Sequence, residues 1–123
     1  MQNYKSKVKI DLRQRCYKYS TDLISFLNDL SSNKISFVIN NQLLRSGLSI
    51  GANLIEATAS SSRLEFKKFN EIALKSANET KYWLSLLKDA KLSDSYKTQI
   101  LINEVTELSK MIASGILKLK GMK

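Results

Sequence analysis

The stretch "RSGLSIGANLIEA", residues 45–57, sets Gly47 and Gly51 four apart inside an apolar run. That spacing places both on one face of a helix. A glycine in a helix interior costs about 1 kcal/mol relative to alanine, and this 123-residue chain has only four glycines and no proline. Strand-and-turn architectures need frequent punctuation by those two residue types, so their scarcity points to long helices. At about 100° per residue, Leu43, Gly47, Ile50, Leu54 and Ala57 make one stripe. Leu44, Leu48, Gly51, Ile55 and Ala59 make a second beside it. The two cover roughly half the circumference, wider than a surface helix needs for one core. Such a helix either lies deep in its bundle or also faces another subunit. The glycines sit where the stripes meet, and their missing side chains let a neighbouring backbone approach closely, gaining van der Waals contact against the propensity cost. The plain alternative is that they are merely tolerated. On the other side, Ser46, Ser49, Asn53, Glu56 and Ser60 repeat at spacings of 3, 4, 3 and 4. That polar stripe is a solvated face, a hydrogen-bonded contact or the lining of a cavity.

The same periodicity extends outward from this helix. Residues 8–31 carry Leu12, Cys16, Leu23, Leu27 and Leu30 in near 3–4 alternation, and residues 35–60 form the second segment, with Asn33 before it as a cap. "SSSRLEF" then interrupts the pattern, and Ser62 with Glu65 makes a capping box that starts a third helix running to about Lys91. Its seam is Phe66, Phe69, Ala73, Ala77, Leu84 and Leu87. Ser93 is read as the cap of a fourth helix with a seam of Leu101, Val105, Leu108, Ile112 and Leu119. Each segment is about 25 residues, or ~37 Å. Four near-equal helices with short connections form an all-α, antiparallel up-down-up-down bundle, a single domain over 1–123.

Composition bounds the chemistry. There is no histidine, which removes the commonest general base, the catalytic triads and the Glu-x-x-His sites of di-iron bundles. One cysteine, Cys16, builds neither a zinc site nor an intrachain disulfide. "GLSIG" follows no strand and falls inside a helix, so it is no phosphate loop. Glu56, Glu65, Glu71 and Glu79 are the material for an all-carboxylate metal site, but Glu65 is accounted for by its cap and Glu71 and Glu79 by pairing with Lys75, four residues away from each. No catalytic, cofactor or metal site is expected, and the chain is read as a non-enzyme. The opening "MQNYKSKVKIDL" lacks the apolar block of a signal peptide and no apolar run approaches a membrane span, so the expectation is a soluble cytoplasmic protein without membrane partners.

Twenty Lys and Arg stand against 11 Asp and Glu, a net charge of +9 spread along the chain with no polybasic tail. Such a field attracts polyanions, or serves solubility alone. Arg63, Lys67, Lys81 and Lys88 project within an arc of about 60° on the third helix, away from its seam. Near the N-terminus, Lys5, Lys7, Lys9, Arg13, Arg15 and Lys18 interleave with Tyr4, Tyr17 and Tyr19. Cations neutralise phosphates and exposed aromatics stack on bases, a mixture suited to single-stranded or structured RNA. Against that, Asp11 and Asp22 are placed to pair with Arg15 and Lys18. The candidate nucleic-acid-binding residues are Arg13, Arg15, Lys18, Arg63, Lys67, Lys81 and Lys88.

"SIGANLIEA" (49–57) and "EFKKFNEIALKSANETKYWLSLL" (65–87) resemble a family of small four-helix bundle proteins. One branch is encoded in intervening sequences of bacterial 23S ribosomal RNA genes; another is the accessory variability determinant of diversity-generating retroelements. The resemblance runs from about Val8 to Leu119 and is densest from Arg45 to Leu87. Matching positions are Arg45, Ser49, Asn53, Glu56, Glu65, Phe66, Ala73, Glu79, Tyr82 and Trp83, while many relatives carry proline where Gly51 stands and glycine where Ala57 stands. The resemblance implies a ring-like homopentamer and, in the retroelement branch, binding of RNA and of a reverse transcriptase. It gives Asn53, Glu56, Glu79, Tyr82 and Trp83 roles at helix-packing or subunit contacts, beside the close helix contact that spacing gives Gly47 and Gly51. Two functions follow: a non-catalytic accessory protein holding an RNA or DNA backbone, or a scaffold for a protein such as a reverse transcriptase that itself binds no nucleic acid.

Overall fold

The computed structural model describes residues 10–31 and 33–121. Its four helices are α1 (Ile10–Asn28), α2 (Lys34–Thr58), α3 (Arg63–Asp89) and α4 (Ser95–Lys120). Each packs on its chain neighbours, and α1 closes against α4, so the helices make an antiparallel four-helix bundle. The expected basic and aromatic residues Tyr4, Lys5, Lys7 and Lys9, and the side chain of Asp11, lie outside the described residues.

Local chemistry sets the helix ends. Asn33 caps α2: its Oδ1 accepts from the Ser36 N–H at 2.9 Å while Ser36 Oγ accepts from the Asn33 N–H at 2.8 Å. Ser62 Oγ accepts from the Glu65 N–H at 3.1 Å to start α3. The Glu65 carboxylate reaches one residue further back than a capping box requires, accepting from the Ser61 N–H at 2.9 Å. The cap of α4 is Asp94, not Ser93: Asp94 Oδ2 accepts from the Lys97 N–H at 2.8 Å. A carboxylate suits the positive end of a helix better than a hydroxyl, and Ser93 Oγ instead meets the hydroxyl of buried Thr98 at 2.6 Å. At its C-terminus α3 closes with Lys91 at φ 60°. There Leu92 N–H donates to Leu87 O (2.9 Å) and Lys91 N–H to Lys88 O (3.1 Å). This is a Schellman motif with lysine where glycine is usual.

The expected seams of α3 and α4 are buried, with Phe69 only partly so. Two aromatics on α1 join the core beyond the sequence reading: Tyr19 and Phe26 are both buried. Tyr19 Oη donates to the Leu101 carbonyl at 2.8 Å, tying α1 to α4. The glycines face α1 of the same chain. A Cβ on Gly47 would land on Leu23 Cδ2, and one on Gly51 would sit 3.5 Å from Cys16 Cβ. The bundle itself therefore covers the glycine stripe. The polar stripe of α2 divides. Ser46 is buried, 3.0 Å from Thr80 Oγ1 on α3, and Ser60 is buried too, whereas Glu56 is exposed.

Candidate nucleic-acid interface and contact surface

The candidate cations fall on two surfaces, because α1 packs on α2 and α4 and lies diagonal to α3. On α1 their situations differ sharply. Arg15 turns across to α4, donating from Nε (3.0 Å) and Nη2 (2.6 Å) to the two oxygens of Glu104, with Nη1 at 3.2 Å from Met111 Sδ. That bidentate pair neutralises it within the bundle. The anticipated Lys18–Asp22 pair forms at 2.7 Å, and the Asp22 hydrogen bond raises the Lys18 pKa. Tyr19 is inside the core and not available to a base. Its burial, with Glu104 and Asp22 nearby, drives its hydroxyl pKa up. Arg13 and Tyr17, one turn apart, point instead into a cleft of about 330 Å³ that they line with Gln14 and with Ile55 of α2.

On α3 the four cations follow the flank toward α4 along the whole helix. Arg63 Nη2 donates to the Leu119 carbonyl at 2.6 Å. Lys88 Nζ donates to Gln99 Oε1 at 2.6 Å. Lys81 is exposed. Lys67 lines a surface cleft with Arg63, Leu64, Leu119 and Lys120. Lys120 was not picked out from the sequence, although antiparallel packing must bring the last turn of α4 beside the first turn of α3.

Of the positions expected as contacts, Glu79, Tyr82 and Trp83 come together on the outer face of α2 and α3. Glu79 does not pair with Lys75, and neither does Glu71 among the described residues. Arg45 of α2 pairs with Glu79, while also donating to Gln42 Oε1 at 3.0 and 3.1 Å. Trp83 Nε1 donates to Glu79 Oε2 at 2.9 Å, and Tyr82 meets the Trp83 ring edge-to-face at 5.1 Å and 73°. Asn53 is held by its own helix, Nδ2 donating to Ser49 O and Oγ at 2.8 and 2.9 Å. Tyr82, at 60% exposure, and nearby apolar positions Ile35, Val38, Ile72 and Leu86 stay uncovered. Gly47 is buried and Gly51 half-buried, and both face α1, not this surface. Spacing could not disclose the Arg45–Glu79 bridge, which joins residues 34 apart. Among the described residues no group of three or more His, Cys, Asp or Glu is placed to hold a metal ion, and no helix is long and apolar enough to cross a membrane.

Fold and surface together define a small antiparallel bundle with cationic edges and one aromatic-polar face. The family described as 23S rRNA-intervening sequence protein matches residues 8–114, and the chain belongs to that family. It is similar to a crystal structure, at 1.70 Å, of a protein of unknown function from the S23 ribosomal protein family of Bacteroides thetaiotaomicron VPI-5482. The two share 35% identity over 85% of this chain and 97% of that one, with a TM-score of 0.80. No curated protein matches the sequence.

Proposed function

We propose that this protein is a non-catalytic, cytoplasmic accessory protein that holds RNA or DNA through its phosphates and works as a homo-oligomer. One observation carries the nucleic-acid reading: among the described residues, Arg13, Lys67 and Lys81 have no carboxylate partner, in a chain of net charge +9. Cations not neutralised internally remain to displace counterions from a phosphate backbone. Arg15, Lys18, Arg63 and Lys88 contribute to the field while engaged with partners of their own. Binding of this kind weakens steeply with salt and discriminates little between sequences. Titration of labelled RNA and DNA at several salt concentrations tests it. The expected result is a linear fall of log affinity with log salt, and a shallower slope for Lys67→Glu with Lys81→Glu. No complex with either polymer at low salt and micromolar protein overturns the reading.

The outer face of α2 and α3 is the proposed subunit contact. Trp, Tyr and Arg are the residue types that dominate interface energetics, and here Glu79 pre-orients Arg45 and Trp83. Light scattering giving the mass of five subunits of 14.0 kDa each supports a pentameric ring. A monomer turns the same aromatic cluster toward a different protein, such as a reverse transcriptase, and a stoichiometric complex in a pull-down is the measurement for that second reading.

A further inference from the structure

We propose that the cleft between α1 and α2 seats one unpaired nucleobase on Tyr17, so that the chain prefers single-stranded nucleic acid to duplex. This rests on the nucleic-acid reading above and adds to it the class of ligand and the site. Tyr17 is 75% exposed, and Ile55 across the cleft is 54% exposed. A flat apolar ring laid between them covers both. Arg13 lies one turn from Tyr17 on the same face, so its guanidinium reaches a flanking phosphate. Gln14 carries both a donor and an acceptor, enough to meet the edge of any base without selecting one.

An unbalanced cation beside an exposed aromatic ring distinguishes this cleft from two others among the described residues. Its four lining residues include no carboxylate. In the cleft between α1 and α4, Asp22 and Glu104 pair with Lys18 and Arg15, so its cations are already balanced and offer a phosphate no net charge. The cleft at Arg63, Lys67 and Lys120 is cationic but has no aromatic side chain, so it serves phosphates alone. A duplex keeps its base faces stacked and its edges in grooves, out of reach of a ring on a helix surface. An unpaired base swings out freely.

The test is fluorescence anisotropy at low salt with a labelled single-stranded RNA, the same strand carrying one run of abasic sites, and a duplex of equal length. Wild-type protein is expected to favour the single strand over both. Tyr17→Ala, a change at an exposed position, is expected to lose about fivefold or more of single-strand affinity and leave duplex affinity unchanged, while Tyr17→Phe retains wild-type binding. Lys81→Glu lowers affinity for strand and duplex alike. Equal single-strand binding by wild type and Tyr17→Ala overturns the inference and leaves the phosphate reading intact. So does a fall in oligomeric mass on Tyr17→Ala, which assigns the cleft to a subunit contact. Binding of neither polymer by the wild type sinks the phosphate reading first, and this inference with it.

Discussion

Gly47 and Gly51 look equivalent in sequence, and their surroundings make them opposites. A Cβ at Gly47 collides with Leu23 Cδ2, and Leu23 is fully buried, so its side chain has to shift within a packed core. Gly47→Ala is therefore expected to destabilise by about 1–3 kcal/mol through overpacking, despite the gain in helix propensity. Gly51→Ala makes an ordinary contact with Cys16 and is expected to stabilise by up to about 1 kcal/mol. Gly115→Ala, with nothing within 4 Å, gives the same gain as a control. Urea midpoints of the three variants check the ordering. A second residue-scale consequence concerns pH. Burial, reinforced by Glu104 and opposed by Arg15, pushes the Cys16 thiol from 9.0 to about 12. Both Cys16 and Tyr19 have raised pKa values, so the folded chain holds these protons more tightly than the unfolded one. The resulting stability is complete below pH 9 and is lost as pH rises toward 12. Unfolding midpoints followed from pH 8 to 12 should fall, and less steeply in Cys16→Ala.

At the scale of the helices, the end of α3 shows a local rule broken at a cost. Lysine in the left-handed region carries a steric penalty that glycine escapes. Lys91→Gly keeps both Schellman hydrogen bonds and is expected to raise stability by about 1 kcal/mol, read as an increase in Tm. Periodicity carries α3 on to this residue, because nothing in a lysine announces a turn. Among the described residues α1 is the shortest helix, and clefts open along its border with α4. Its polar ties across that border include the Arg15–Glu104 pair, the Arg15–Met111 contact and the Tyr19 hydrogen bond. Native-state hydrogen exchange is expected to show α1 amides opening below the global free energy, with α2 and α3 opening last. Tyr19→Phe should widen that gap at a cost of about 1 kcal/mol.

For the whole molecule, the placement of charge matters more than its amount. The bundle sets α1 and α3 on opposite corners, so the described candidate cations of these two helices do not converge on one pocket within a chain. A polymer contacting both surfaces has to pass around the bundle or across several copies of it. For the proposed homo-oligomer, a salt slope steeper in wild type than in a Trp83→Ala variant that loses assembly is the expected signature, measured by the same titrations at fixed subunit concentration.

Helix number, helix order, most caps and the apolar seams could be read from the chain alone, because periodicity and capping are written within a few neighbouring residues. The glycine pair could be read as a close approach, but not the partner that makes it. Which cations are neutralised internally, which tyrosine is buried and which is exposed, and which face of α2 remains uncovered all depend on contacts between distant residues. Arg15 and Glu104 are 89 positions apart, and Tyr19 and Leu101 are 82. No local pattern relates such residues; antiparallel packing of the helices does, and that packing separates Tyr17 in its cleft from Tyr19 in the core.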